Sequence, residues 1–392
     1  MKITFVVPEW HFSGGVKVVA IYAERLKKRG HQVVIVSPAR RIPTLRERVR
    51  AVRRGGTFFQ APQPPSHFEG RDIDLRIYKP HRPVEDRDVP DADVIVSTWF
   101  EIAFWMTKLS PQKGAKLAFL QGYETLPEEP RPEIDDAWRL PFQKVVISRW
   151  LKQLALDKFG DSNVAHVPNS VDTTQFFAPP RQMQAVPTVG FLAAHSPFKG
   201  MKTVTAALAR MRETIPNLRV IAFGQDSVHA EMAAIPNSEF HLLPPQDRIR
   251  DLYARCDVWM CGSQREGFHL PPLEAMACRC PVVSTRVGGP EDIIVPGKNG
   301  YLVDIGDAEG LAKAATQLLT GGQQAWQQFS DAALATATGY SWDDATVLFE
   351  QAAELAVARA ARGEIAGGRR AASTDAGAEV RANAAFTAGV PS

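Results

Sequence analysis

Four cysteines in 392 residues are too few for a disulfide framework in a chain of this length. Cys256, Cys261, Cys278 and Cys280 fall in one region, with no histidine at ligand spacing beside them. They read as buried thiols of a reducing compartment, not as a zinc site. No apolar run approaches the length of a membrane-spanning helix. The apolar part of Met1–Pro8 is too short for a signal peptide. A cytoplasmic protein is therefore expected. A charge excess is missing too: 46 Lys and Arg stand against 43 Asp and Glu, a net +3, which gives no case for nucleic acid. The dinucleotide fingerprint G-x-G-x-x-G is also absent.

What is present is a globular composition, 45% hydrophobic and 23% charged, in a chain long enough for two domains. Ile3 to Val7 reads as a strand, Val16 to Arg29 as a helix ended by Gly30, and Val33 to Val36 as a strand. This is a βαβ unit. Further strands are expected at Leu75–Tyr78, Val94–Thr98, Lys116–Leu120, Lys144–Ser148 and Val164–Val167. Helices are expected at Ile102–Leu109 and Trp150–Phe159. A Pro-rich linker spans Ala178 to Pro187, and a second alternation follows. Its strands are Val189–Leu192, Leu218–Phe223, Glu239–Leu243, Val258–Cys261, Pro281–Thr285 and Tyr301–Val303. Helices lie between them, and a long one is expected at Trp342–Arg362. The pattern predicts an α/β protein of two doubly wound, Rossmann-like domains facing a cleft, at 1–178 and 188–340. A helix at 341–362 and a disordered, Ala-, Gly- and Arg-rich tail at 363–392 complete it.

The most informative stretch is Ser263 to Ala277. A buried strand precedes it, and Pro271 and Pro272 suit the first turn of a helix. Glu266 then lies in the loop, Glu274 in the helix. The helix N-terminus, with its free N–H groups, is a site for phosphate. Two carboxylates beside an anion site suit hydroxyl groups of a sugar and a ribose. Gly14-Gly15 would let backbone approach a ligand at the first helix. Gln121, Tyr123 and Glu124 follow a parallel strand, where ligands bind, and are acceptor-side candidates.

Glu266-Gly267-Phe268-x-Leu270-Pro271-x-Leu273-Glu274-Ala275-Met276-Ala277 resembles the E-x7-E signature of retaining glycosyltransferases of family 4, which have the GT-B fold. Pro281 to Gly289 and Gly297 to Val303 continue the likeness. The resemblance implies that Glu266 lies at the donor sugar and Glu274 binds the nucleotide ribose. It implies that Lys199 grips the donor diphosphate and that Gly267, Phe268, His269 and Leu270 contact the donor. Gly15 would lie at the diphosphate and Gly14 towards the acceptor. The terminal helix would cross back to the first domain. No metal and no cofactor are expected. The donor would be a UDP-, GDP- or dTDP-sugar, and the acceptor a carbohydrate, a lipid-linked or a small molecule. The product would belong to glycan, glycolipid or glycosylated-metabolite synthesis.

Two departures stand out. Ala194 occupies the place of the usual diphosphate arginine, with His195 beside it as a substitute. Ser97-Thr98-Trp99 stands where family members often carry a histidine, with His11 as a substitute. Arg40 to Arg54 reads as an arginine-rich amphipathic helix, either a solvated face or a contact with an anionic membrane. Two rivals remain. One is a metal-dependent enzyme using Asp72-Ile73-Asp74 or Asp91-Ala92-Asp93. The other is a nucleotide- or sugar-binding protein that has lost catalysis.

Overall fold

A computed structural model describes residues 1–8, 14–53, 66–123, 125, 130–225 and 230–368. The strands form two sheets. The first contains β1 (Lys2–Val6), β2 (Gln32–Pro38), β3 (Asp74–Tyr78), β4 (Val94–Ser97), β5 (Ala115–Leu120), β6 (Gln143–Val146) and β7 (Ala165–His166), in the order β3-β2-β1-β4-β5-β6-β7. The second contains β8 (Thr188–Leu192), β9 (Arg219–Gly224), β10 (Ser238–Leu242), β11 (Val258–Cys261), β12 (Val282–Thr285) and β13 (Gly300–Val303), in the order β10-β9-β8-β11-β12-β13. Every pairing within them is parallel. All four residues of β4, β6, β11 and β12 are buried. That is the mark of strands covered by helices on both faces, and it explains their continuous apolar runs.

In each sheet the strand order reverses beside the first strand, between β1 and β4 and between β8 and β11. At such a switch point the connections diverge to opposite faces and leave a crevice at the carboxyl ends of the strands. The loops that follow β1, β4, β8 and β11 carry most of the candidate residues; Gln121 and Tyr123 follow β5, and Glu274 lies in the helix after the β11 loop.

The helix Trp342–Ala361 packs back onto the first sheet, as expected. Its N-cap, Ser341, accepts hydrogen bonds from the Asp343 and Asp344 N–H groups. Its Phe349 ring sits 5.7 Å from Phe5, 4.9 Å from Tyr22 and 5.4 Å from Phe119. These buried rings fasten the end of the second half to the core of the first.

Three features depart from the sequence reading. The Glu- and Pro-rich segment after Tyr123, which reads in the sequence as a loop, contains a helix at Pro132–Arg139 that buries Ile134, Ala137 and Trp138. A helix at Gln323–Thr338 was not anticipated. Disorder from Gly363 does not hold for the first tail residues. Ile365 is buried, the Ala366 N–H donates to Pro141 O (2.8 Å), and Ala366 O accepts from the Lys116 N–H (3.0 Å). One large apolar side chain and free backbone groups on the sheet are enough to fix this short run. Residues 369–392 lie outside the described residues, as do His11 and Glu124. The four cysteines are buried and free.

Candidate active site

The crevices of the two sheets face each other across a cavity of about 810 Å³. The first domain contributes Gly14, Gly15, Lys17, Trp99 and Gln121. The second contributes Lys199, Glu266, Gly267, Phe268, His269, Leu270 and Glu274. Residues separated by up to 260 positions in the chain thus share one wall.

Lys199 ends a short turn, Pro197–Lys199, and Gly200 follows with φ +64°. Only glycine adopts this conformation freely. It is doubly required here, because a Cβ at 200 would overlap the Gly262 carbonyl oxygen. The turn therefore sits directly on the loop after β11, and Gln264 N–H donates to Phe198 O (2.7 Å). This close seating brings Lys199 Nζ within 2.8 and 3.0 Å of the two Glu266 carboxylate oxygens. Ser263 Oγ donates to Glu266 Oε1 at 2.7 Å.

Burial pushes the Glu266 carboxyl up, but nearby positive charge and these hydrogen bonds prevail and hold it below the usual carboxylate range. His269 Nδ1 lies 3.5 Å from Glu266 Oε1. Burial lowers the His269 pKa to about 4, so the imidazole is neutral near pH 7. The His269 charge is the largest of the influences that lower the Glu266 pKa, followed by Lys199; near pH 7 Lys199 and Ser263 remain as the hydrogen-bonded partners of the carboxylate. His269 sits at φ +64° as the residue preceding the helix Leu270–Ala277, and its Nδ1 has no hydrogen-bond partner among the described residues. A non-glycine residue held in this conformation at a cavity wall is strain of the kind found at functional sites.

Glu274 is held from both sides. Its Oε1 accepts from Lys17 Nζ at 2.8 Å, and its Oε2 accepts from the buried Tyr253 hydroxyl at 3.0 Å. Lys17 belongs to the first domain, so this ion pair crosses the cleft. The sequence reading did not single out Lys17. Its one local signal is a positive charge near a helix N-terminus that carries no acidic residue in its first turn, against the helix dipole.

Other expected residues divide. Gln121 is in the cavity wall, where its Nε2 donates to Gly15 O at 3.2 Å. Its own carbonyl lies so close to Gly267 that a Cβ there would overlap it. Trp150 Nε1, in the first domain, donates to Gly267 O at 2.9 Å. At Gly267 the backbones of the two domains therefore meet with no room for a side chain. Trp99 lines the cavity and also a small apolar side pocket with Phe100 and Trp138. Tyr123 instead turns into the first domain. Its hydroxyl donates to Asp135 Oδ1 at 2.5 Å, and its ring packs on Trp138 and Phe159. The unforeseen helix Pro132–Arg139 supplies Asp135 and Trp138 and so draws it inward. His195 is exposed and does not line the cavity, whereas Ala194 does. Of the D-x-D aspartates, Asp72 pairs with Lys27 and Asp91 with Lys113, away from the cleft.

Comparison with known proteins bears on the fold and on the second domain. Residues 186–321 match the family model "Glycosyl transferases group 1". The chain is 46% identical over 77 residues to N-acetyl-alpha-D-glucosaminyl L-malate synthase of Bacillus anthracis, covering 20% of each chain. It is 32% identical over 170 residues to D-inositol 3-phosphate glycosyltransferase of Corynebacterium urealyticum, covering 40% of each. The matched segments thus span a fifth and two fifths of these relatives' own lengths. The structure of Anabaena Alr3699/HepE in complex with UDP superposes with a TM-score of 0.69 at 17% identity, over 91% of this chain and 99% of that one. Staphylococcus aureus TarM gives 0.70 at 11%, over 90% and 98%. Over about nine tenths of its length the chain has the two-domain GT-B architecture, and residues 186–321 match the glycosyl transferases group 1 model.

Proposed function

We propose that the protein is a retaining, metal-independent glycosyltransferase that moves a sugar from a nucleotide-sugar to an acceptor hydroxyl. The observation that carries this is the placement of Lys199, Glu266 and Glu274 around a helix N-terminus in one interdomain cavity. Two relatives are named as a glucosaminyl-malate synthase and an inositol phosphate glycosyltransferase, and the Anabaena protein was solved with UDP and glucose. Glu274 would accept hydrogen bonds from the ribose, and Glu266 from donor-sugar hydroxyls. As the glycosyl–phosphate bond breaks, its electron pair stays on the phosphate oxygen. Lys199 and the N–H groups at the start of the helix Leu270–Ala277 would stabilise that charge, in place of a metal ion. The acceptor oxygen would attack the anomeric carbon from the face the phosphate leaves, and its proton would pass to the departing phosphate. Configuration at that carbon is then retained.

The acceptor would enter past Trp99 and Gln121, as a carbohydrate, a lipid-linked or a small molecule. The helix Leu45–Arg53 favours access to a membrane-borne acceptor. Its Leu45, Val49 and Val52 are 68%, 40% and 46% exposed between arginines, and the neighbouring Ile42 is 70% exposed. An apolar stripe flanked by cations suits an anionic lipid surface. Co-sedimentation with anionic vesicles, lost on Leu45→Glu and Val49→Glu together, tests this contact.

The primary test is thermal unfolding with UDP, GDP, dTDP and ADP in chelator. A nucleotide at a hundred times its dissociation constant adds about 2.7 kcal/mol to the folded state. One nucleotide should stabilise the wild type and not Glu274→Ala. Stabilisation that survives Glu274→Ala would remove the ribose role. A nucleotide that binds without any turnover of its sugar conjugates would favour the binding-protein alternative. The anomeric configuration of the product, read by NMR, tests retention.

A further inference from the structure

Lys17 belongs to the machinery of the cleft in a way that its position in the chain does not announce. Its side chain is 16% exposed and that of Glu274 is 11% exposed. The ammonium has three N–H donors. One goes to Glu274, and Nζ stands 5.0 Å from the centre of the Phe176 ring. Among the described residues it makes no further hydrogen bond, and its side chain lines the 810 Å³ cavity. Two donors on a fixed cation are thus left for whatever occupies that space.

Glu274 leaves room for this. An ionised carboxylate offers about four acceptor positions. Lys17 and Tyr253 use one each. A ribose diol can therefore bind Glu274 without displacing Lys17. A diphosphate on the 5′ carbon of the same ribose then enters the cavity wall that carries Lys17 and Lys199. Ala194, in the place of the usual diphosphate arginine, offers that wall only a methyl group.

We propose that Lys17 is a donor-binding residue that holds Glu274 with one N–H and the nucleotide diphosphate with its remaining donors. It supplies from the first domain the cation that position 194 lacks. This inference rests on the donor role of the cavity proposed above.

The test is calorimetric titration of wild type, Lys17→Gln and Lys17→Arg with uridine, UMP and UDP in chelator, or with the corresponding series of another base if the thermal panel selects one. Glutamine keeps an N–H for Glu274 and removes the charge. Lys17→Gln should bind the diphosphate roughly tenfold to a hundredfold more weakly, the loss expected for a charge-assisted hydrogen bond. Its affinity for the nucleoside should change little, with the monophosphate between, and Lys17→Arg should recover most of the loss. An equal loss for all three ligands would overturn the proposal, because Lys17 would then only orient Glu274. An unchanged affinity for UDP would overturn it as well. A wild type that binds none of the series would remove the donor reading itself, which separates that failure from a failure of Lys17 alone.

Discussion

Gly267→Ala should disable the cleft while leaving both domains folded. An ideal Cβ at 267 overlaps the Gln121 carbonyl oxygen and stands 3.0 Å from the Gln121 carbonyl carbon. The obstacle is backbone, so no rotamer change relieves it. To restore ordinary contact the two domains must part at this point by on the order of 1 Å, and a misplacement of that size costs about a hundredfold in rate. A hundredfold is about 2.7 kcal/mol of transition-state stabilisation. The same parting strains the hydrogen bond from Trp150 Nε1 to Gly267 O, 2.9 Å long here. The strands of each sheet pair only among themselves, so the strand ladders are untouched. The assay is kcat/KM with the nucleotide-sugar identified by the thermal panel, beside thermal unfolding of the same preparation. The expected result is a hundredfold loss with a melting temperature close to wild type. Full activity would show that the catalytic form does not keep Gln121 and Gly267 in contact. A collapse of thermal stability would place the clash inside a domain and refute the reasoning equally.

Gly200→Ala is the intradomain counterpart. Its Cβ meets the Gly262 carbonyl and its φ is +64°, so left-handed strain and overpacking together should cost about 2–5 kcal/mol, read as a lower unfolding midpoint. Lys199→Met removes the cation at Glu266 and should lower kcat by roughly 10²–10³, the loss typical of one electrostatic donor. In the wild type the depressed Glu266 pKa supports folding above the ordinary carboxylate range, and that support fades as pH falls through the lower folded value. In Lys199→Met burial is less opposed, so the acid limb of the pH–rate profile should move to higher pH; an unmoved limb would dissociate the two residues. Lys116 is buried with its Nζ on Leu109 O at 3.3 Å, and burial lowers its pKa to about 8. The folded state disfavours its charge, which costs stability below pH 8 and is relieved as pH rises from 8 towards 10.5. Lys116→Met should therefore be the more stable protein at pH 7, by an advantage that shrinks across that interval in denaturant titrations.

The signature Glu266 to Glu274 was legible because its geometry is local. A buried strand, a loop and a Pro-started helix fix where two carboxylates eight positions apart must stand, whatever surrounds them. Lys199 was legible only through the family resemblance, and the turn that Gly200 permits emerged with the structure. Tyr123 was misplaced because its direction depends on Asp135 and Trp138, in a helix whose Pro, Glu and Asp content suggested a loop. Yet Pro132 at its first position and Glu133 and Asp135 in its first turn are helix-start signals. His195 follows a strand end, as a site residue should, but the seating of the turn Pro197–Lys199 on the loop after β11 points Lys199, and not His195, into the cavity.

By itself the sequence determined the two βα alternations, the linker between them and the strand, loop and helix on which Glu266 and Glu274 stand. Apolar periodicity and turn chemistry act over a few residues and are written in order along the chain. Only the tertiary structure decided what meets across the cleft, Lys17 with Glu274, Gln121 with Gly267 and Trp150 with the Gly267 carbonyl, and what the returning helix packs on, Phe349 with Phe5 and Tyr22. Those contacts depend on the relative placement of two separately folded sheets. The packing of the returning helix against the first core sets that placement, and the local preference of any one residue does not specify it.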